Sequence, residues 1–455
     1  MNLSSQWIPE AAIPVGARSV LKLGLAGLAL SGCHIGDGAQ FIVGGTVTGV
    51  AGSGLVLQDN SGSDLSVASN GGFAFSDRLA NDDAYSVTVK TQPSNPAQTC
   101  TVRNGSGTID KADVNSVLVT CTQTGRFAYV ANRQSNNLSA YAIDSANGAL
   151  VPLAGSPFAS NGTTPTALTV DPNGDFLYVA NSASNNVAVF SINAVSGILT
   201  AVSFPSGTGT GPGALTVDPR DQYLYVANLA SNDISAYAIS NGVLKEIPGS
   251  PFAAGLEPAA LQFDPNGNFL YVANFNGANV AVFAIDQATG SLSNISGSPY
   301  ATGSGPLSVA IDPTNTFAFV ANEGAGTVSE FTLNPVTGAL AAVAGSPLAV
   351  STNPESLAVD PLGRYLYAAN VTSANQVASF SITPASGSLT PLSAAAAGSL
   401  PIGLIVDPSG QFVYAANYNS NDISAYMVDD ATGALMPVPG SPFAAGTQPH
   451  SIAID

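Results

Sequence analysis

Residues 258–274 read Pro258-Ala259-Ala260-Leu261-Gln262-Phe263-Asp264-Pro265-Asn266-Gly267-Asn268-Phe269-Leu270-Tyr271-Val272-Ala273-Asn274. An apolar run, an Asp-Pro-x-Gly turn and a second apolar run make an antiparallel hairpin. A third alternating run follows from Val280 to Ile285, and Thr289-Gly290-Ser291-Leu292 turns into a fourth. Four short strands joined by three turns are one blade of a β-propeller. The Tyr-Val-Ala-Asn end of the second strand, or a near variant, recurs at Asn132, Asn181, Asn228, Asn274, Asn322, Asn370 and Asn417. The intervals are 49, 47, 46, 48, 48 and 47 residues. Self-similarity at one period marks a repeat architecture, and seven units predict seven blades.

The ends of the array predict how the ring closes. Blade one begins at Phe127 with its second strand, and no Val-Asp-Pro segment precedes it. The missing segment stands at the far end, as Pro449-His450-Ser451-Ile452-Ala453-Ile454-Asp455. That strand is expected to become the innermost strand of blade one. Closure removes the unpaired edges that would otherwise template aggregation.

Composition agrees with an all-β chain and narrows its chemistry. Of 455 residues, 47 are Gly and 30 are Pro, too many breakers for a mainly helical protein. Hydrophobic residues are 45% and charged residues only 9%, against about 25% charged in an average domain. Eleven basic against 29 acidic residues give −18, which makes nucleic-acid backbones and anionic lipid surfaces poor partners. Two histidines in the whole chain argue against a multi-histidine copper or zinc centre. No metal and no cofactor are expected, and the propeller is expected to be a monomer.

Residues 1–32 read as an export signal. Arg18 and Lys22 precede a short apolar run, Leu23 to Leu30, followed by Ser31-Gly32-Cys33. Eight apolar residues are too few to span a bilayer, which needs about 20, but they suit a signal peptide with a small-residue cut site. The stretch Leu30-Ser31-Gly32-Cys33 resembles the bacterial lipobox, which implies a signal peptide over 1–32, lipidation of Cys33 and a linker over 33–40. The alternative is an ordinary signal peptide with an incidental cysteine. The long lead before the apolar run leaves room for a start codon further downstream. His34 stands where Asp commonly retains lipoproteins at the inner membrane, so the expected location is the outer membrane of the cell envelope. Contact with the membrane is expected only through the lipid.

Residues 41–124 alternate apolar and polar positions between Gly-, Asn- and Asp-rich turns, as in Tyr85-Ser86-Val87-Thr88-Val89. One small antiparallel β-sandwich is expected there, acting as a spacer or adhesive module. Cys100 and Cys121 are expected to pair in an oxidising compartment. A reactive thiol is the alternative, though no basic cluster lies nearby in sequence to lower its pKa.

The repeat unit from 126 to 455 resembles the seven-bladed β-propeller lactonase family, which includes 6-phosphogluconolactonase and carboxymuconate cyclase. It is also similar to the Tyr-Val-Thr-Asn repeats of bacterial surface-layer proteins, whose propellers bind or display. The family often carries Pro-Arg-His at the start of one inner strand and Asn-Glu at the end of the next. Here Pro306-Leu307-Ser308 is followed by Asn322-Glu323, so Glu323 matches and the Arg-His pair is replaced. Pro449-His450-Ser451 matches the family's Pro-His-Ser variant.

Strand order brings the residue after each inner-strand Pro and the residue after each motif Asn to one mouth of the channel. Ten of these fourteen positions carry no ionisable charge at neutral pH; the others are Arg133, Glu323, Glu355 and His450. Arg133 and His450 both belong to blade one, Glu323 to blade five, Glu355 to blade six, with Tyr418 between them in blade seven. They predict a small-molecule site, against the alternative that loop tips merely tolerate polar residues. As a lactonase-like hydrolase acting on a small, sugar-type lactone, the chain would use His450 as general base on water. Arg133 would stabilise the oxyanion, Glu355 or Glu323 would orient His450 or polarise water, and Tyr418 and Phe275 would bind substrate. The alternative is a non-catalytic propeller that binds a ligand or partner at the cell surface. Asp171-Pro172-Asn173-Gly174-Asp175 is a partial calcium-loop pattern, read here as a turn in which Asp caps backbone amides. The motif asparagines are expected to bond loop backbone, and the Gly-Ser-Pro segments to leave the outer strand at an edge where Pro removes no ladder bond.

Overall fold

The computed structural model describes residues 40–50, 53–93, 98–123, 126–202, 205–350, 353–371 and 375–455. The expected signal peptide, residues 1–32, and the lipidation position Cys33 lie outside the described residues. Among the described residues there is no helix.

Residues 40–123 build two four-stranded sheets. One has the order Gly71–Ala80, Gln40–Thr48, Val114–Gln123, Gln98–Arg103. The other runs Ser63–Val67, Leu55–Asp59, Ala84–Thr91, Ser106–Thr108. Alternation sends Val43, Val47, Val117 and Val119 of the first, with Leu55, Leu57 and Val87 of the second, into one buried cluster. The expectation of purely antiparallel pairing is corrected at one seam. Gln40–Thr48 runs parallel to Val114–Gln123, with Val47 opposite Val119. Parallel neighbours need a long connection, and the strands between them supply it. Cys100 and Cys121 sit opposite each other on adjacent antiparallel strands and form the expected disulfide.

Seven further sheets follow, one per repeat. In blade four Pro258–Phe263 pairs with Phe269–Asn274, then Asn279–Ile285, then Leu292–Asn294. All six residues of Phe269–Asn274 are buried. Neighbouring blades cover both faces of this strand, so its sequence is a continuous apolar run rather than an alternation. Blade one closes as expected. Pro449–Ile454 pairs with Phe127–Asn132, Ile452 opposite Val130 and Ile454 opposite Ala128. The closing strand packs against the inner strands Pro165–Val170 and Pro401–Val406 on its two sides, which completes the ring.

Repeated side-chain devices fix each blade. The Asp-Pro aspartate caps its turn: Asp264 Oδ1 accepts from the amides of Asn268 at 2.6 Å and Phe269 at 2.7 Å, as expected from the turn chemistry. The motif tyrosine reaches into the next blade. Tyr225 donates to the Gly290 carbonyl at 2.7 Å, and Tyr414 of blade seven to the Gly148 carbonyl of blade one at 2.9 Å. The motif asparagines meet the expectation of loop-backbone bonding only in part. Their amides chiefly tie the hairpin together by side chains, as Asn417 donates to Asp422 Oδ1 at 2.7 Å and Ser424 Oγ at 2.9 Å. Asn132 and Asn274 in addition accept from the amides of Gly446 and Gly255. In the Gly-Ser-Pro segments the serine substitutes for a ladder partner. Ser298 Oγ accepts from the Val282 amide at 2.9 Å, and the equivalent bond recurs in four other blades.

Candidate functional site

Backbone geometry builds the mouth before any side chain enters it. The amide that follows each motif Asn donates to the carbonyl that precedes the inner-strand Pro: Arg133 to Gln448 at 2.9 Å, Glu323 to Gly305 at 2.8 Å, Tyr418 to Leu400 at 2.8 Å. In blades seven and one the residue before the Pro is left-handed, with φ of 60° at Leu400 and 58° at Gln448. Non-glycine residues adopt this region only when their surroundings hold them there. An asparagine of the preceding blade does so: Asn421 Oδ1 accepts from the Gln448 amide at 2.8 Å, and Asn375 Oδ1 from Leu400 at 2.9 Å.

The structure sorts the sequence-predicted residues into two clusters. At the seam of blades seven and one, Arg133 Nη1 donates to Tyr418 Oη at 3.0 Å, and Tyr418 donates to Gln448 Oε1 at 2.8 Å. The Tyr418 and His450 rings meet edge to face, 6.1 Å between centroids. Among the described residues Arg133 joins no ion pair, and its Nε is buried without a partner. Burial, then the Arg133 cation, lower the His450 pKa to about 4, against a backbone hydrogen bond to Thr166. His450 is therefore neutral at pH 7. Its titration lies well below the ordinary imidazole value near 6.5.

At the seam of blades five and six, Glu323 Oε1 accepts from Asn353 Nδ2 at 3.2 Å. Burial and the neighbouring Glu323 charge push Glu355 up to about 7. No hydrogen bond or ion pair among the described residues joins either glutamate to His450, whose partner is the Thr166 backbone. Phe275 is half-buried at the blade-four mouth. Its ring stands 3.1 Å from where a Cβ on Gly305 would lie, so glycine there lets the ring rest against the loop entering blade five.

Sequence reasoning missed Gln448, Asn353 and Glu257, all of which directly precede an inner-strand Pro. The signal was available, because that position shares the mouth with the two that were read. Among the described residues no group of three or more His, Cys, Asp or Glu is arranged to hold a metal ion. The mouth thus offers one partly buried guanidinium with a free Nε, a neutral imidazole, and a carboxyl pair of which one member titrates near neutrality.

Comparison with known proteins agrees with this architecture. A family model described as "Lactonase, 7-bladed beta-propeller" matches residues 87–209, 203–302 and 296–448. The first match begins within the two-sheet unit, upstream of Phe127. Among curated proteins none matches the chain. A proposed 6-phosphogluconolactonase from Bacteroides uniformis superposes with a TM-score of 0.65 at 19% identity, over 73% of this chain and 100% of that one. The Pseudomonas aeruginosa periplasmic gluconolactonase PpgL gives 0.64 at 20% identity, over 72% of this chain and 98% of that one. At these identities the two structures speak for the fold alone. The family model spans well over half of the sequence, and the chain belongs to the seven-bladed β-propeller lactonase family.

Proposed function

We propose that the propeller hydrolyses a small lactone at the mouth bearing Arg133, Tyr418, His450 and Glu355. The observation that carries this reading is Arg133 itself. Among the described residues it is a guanidinium with no carboxylate partner, held by Tyr418, with a buried and unpartnered Nε. Such a group is preorganised for the oxyanion that forms when water adds to the lactone carbonyl. Ionised Glu355 accepts the water proton as the C–O bond forms. It returns that proton to the ring oxygen as the ring C–O bond breaks, releasing a hydroxy acid. A base works best with a pKa near the working pH, which favours Glu355 near 7 over His450 near 4. His450, its one N–H turned to the Thr166 backbone, then serves as a neutral wall beside Tyr418, with its other ring nitrogen an acceptor.

A neutral, sugar-type lactone suits the site better than a phosphorylated one. Of the five Lys and Arg residues from 126 to 455, Arg126, Arg220 and Arg364 engage groups of the Asp-Pro turns instead. The gluconolactonase name of the periplasmic relative supports the substrate class, and its location supports export of this chain. Anchoring by a lipid on Cys33 belongs to the same proposal. It requires that Cys33→Ala leave the membrane fraction and lose its acyl label.

The test is a pH-stat assay of purified protein against a lactone panel. Activity is expected to rise through about pH 7 as Glu355 ionises. Glu355→Gln should lower turnover about 10²–10⁴-fold and Arg133→Ala about 10²–10³-fold. His450→Gln should leave the pH profile in place. A profile that inflects near pH 6.5 and disappears in His450→Gln would reassign the base to His450. Wild type inert toward every lactone would favour the non-catalytic binding propeller, a reading supported by the separation of the two clusters into different seams.

A further inference from the structure

On the opposite side of the ring, the Asp-Pro turns of adjacent blades face each other. The fourth residue of each turn lies against the Asp-Pro of the blade before it. A Cβ on Gly267 would stand 3.0 Å from Pro219, and one on Gly410 would stand 3.2 Å from Pro361. Where the fourth residue is Asn315, its Nδ2 donates to Asp264 Oδ2 at 2.9 Å and joins blade four to blade five. At the equivalent place between blades two and three the fourth residue is Asp221, and it faces Asp171. The two turns share their backbone, with φ of 58° at Asp221 and 57° at Asn315. The amide donor of one seam is therefore replaced by a second carboxylate in the other.

The consequence is visible in the hydrogen bonds. Asp171 is 4% exposed. Its Oδ1 caps Asp175 and Phe176, but its Oδ2 is buried without a partner among the described residues. Asp221 Oδ2 accepts from Asn173 at 2.9 Å, while its Oδ1 is likewise buried and unpartnered. Tyr178 Oη beside them is also buried and unbonded. The equivalent oxygens of the other Asp-Pro aspartates are met. Asp312 Oδ2 bonds Thr314, Asp360 Oδ2 bonds Arg364, and Asp407 Oδ2 bonds Arg126 and Ser409.

We propose that Asp171 and Asp221 form a proton-binding site, in which one proton shared between the two carboxyl groups joins blades two and three. The charges facing the pair favour a proton. Asp175 and Asp218 add negative charge from the two turns, and Asp455 of blade one stands 3.9 Å from where a Cβ on Gly174 would lie. Arg126, the cation near Asp455, is paired with Asp407. Arg220 turns away to the carbonyls of Asn266 and Gly267. Burial, with the Asp221 and Asp175 charges adding to it, raises Asp171 to about 6 in spite of its two backbone bonds. Burial also raises Asp221, opposed by its bond from Asn173. A carboxyl raised in the folded state contributes stability that is complete below its unfolded value near 3.8 and is lost as pH rises through about 6.

The test is scanning calorimetry of the full-length protein and Asp221→Asn between pH 5 and pH 8. Asparagine installs the Asp264–Asn315 arrangement, and it tolerates the left-handed backbone as aspartate does. Asp221→Asn should melt about 2 °C or more above wild type at pH 8, and the difference should narrow clearly at pH 5. Effects from Asp455 cancel, because both proteins keep it. In the wild-type minus Asp221→Asn infrared difference spectrum at pH 5, a protonated carboxylic acid band should remain, because Glu355 and Asp455, both raised to about 7, are kept in both proteins and cancel. A melting difference that is the same at both pH values, or absence of that band, would overturn the proposal. So would millimolar calcium chloride at pH 8 stabilising wild type but not the variant, since a cation would then occupy the place assigned to the proton.

Discussion

Replacing Tyr225 by Phe removes one hydroxyl and nothing else, and it tests whether the motif tyrosine clasps adjacent blades. In the native ring Tyr225 is fully buried and donates to the Gly290 carbonyl of the next blade at 2.7 Å. Gly290 is itself buried, so no solvent replaces the lost donor. Leaving a buried acceptor without its partner costs about 1–3 kcal/mol. The unfolding entropy of a propeller of this length is roughly 0.7 kcal/mol per degree at ~2.1 cal/mol/K per residue. Tm should therefore fall by about 1.5–4 °C. Tyr367 supplies the internal control, because it is also fully buried but its hydroxyl has no partner. Tyr367→Phe removes an unsatisfied polar group, and its effect should be near zero or stabilising. Calorimetry of the two variants beside wild type decides the matter. Equal losses at the two positions would show that the hydroxyls matter through packing or solvation, and the clasp argument would fail.

Three other outcomes are expected. Deleting Pro449–Asp455 should cause aggregation or a large fall in Tm, since burial of Ile452 and Ile454 alone contributes about 3–6 kcal/mol; near-native melting would contradict ring closure. Cys100→Ser with Cys121→Ser should weaken the two-sheet unit by roughly 3 kcal/mol, read as an earlier transition by limited proteolysis while the propeller is unaffected. Asn421→Ala removes the side chain that holds the Gln448 amide, so it should misplace Gln448 and Tyr418; Arg133-dependent turnover should fall with little change in Tm, and an unchanged turnover would deny the loop that positioning role.

The sequence by itself determined the fold. Strand, turn and strand recur every 46–49 residues, and each unit carries the local chemistry that builds it. The Asp-Pro-x-Gly turn caps itself, the twice-buried strand is wholly apolar, and the displaced segment Pro449–Ile454 has one place to go. These are effects of neighbours in sequence, or of one repeat upon the next, so periodicity carries them. The mouth was legible as a set of positions for the same reason. What those positions do was decided by the tertiary structure. Arg133 and Tyr418 are 285 residues apart and meet only because blades seven and one share a seam. His450 is held neutral and Glu355 is raised because ring assembly buries both. The parallel pairing of Gln40–Thr48 with Val114–Gln123 likewise has no local signal, since alternation reports which face is buried but not the direction of the neighbour. Asp171 and Asp221 show the limit most plainly. Each sits in an ordinary turn, and their opposition exists only where one blade packs on the next.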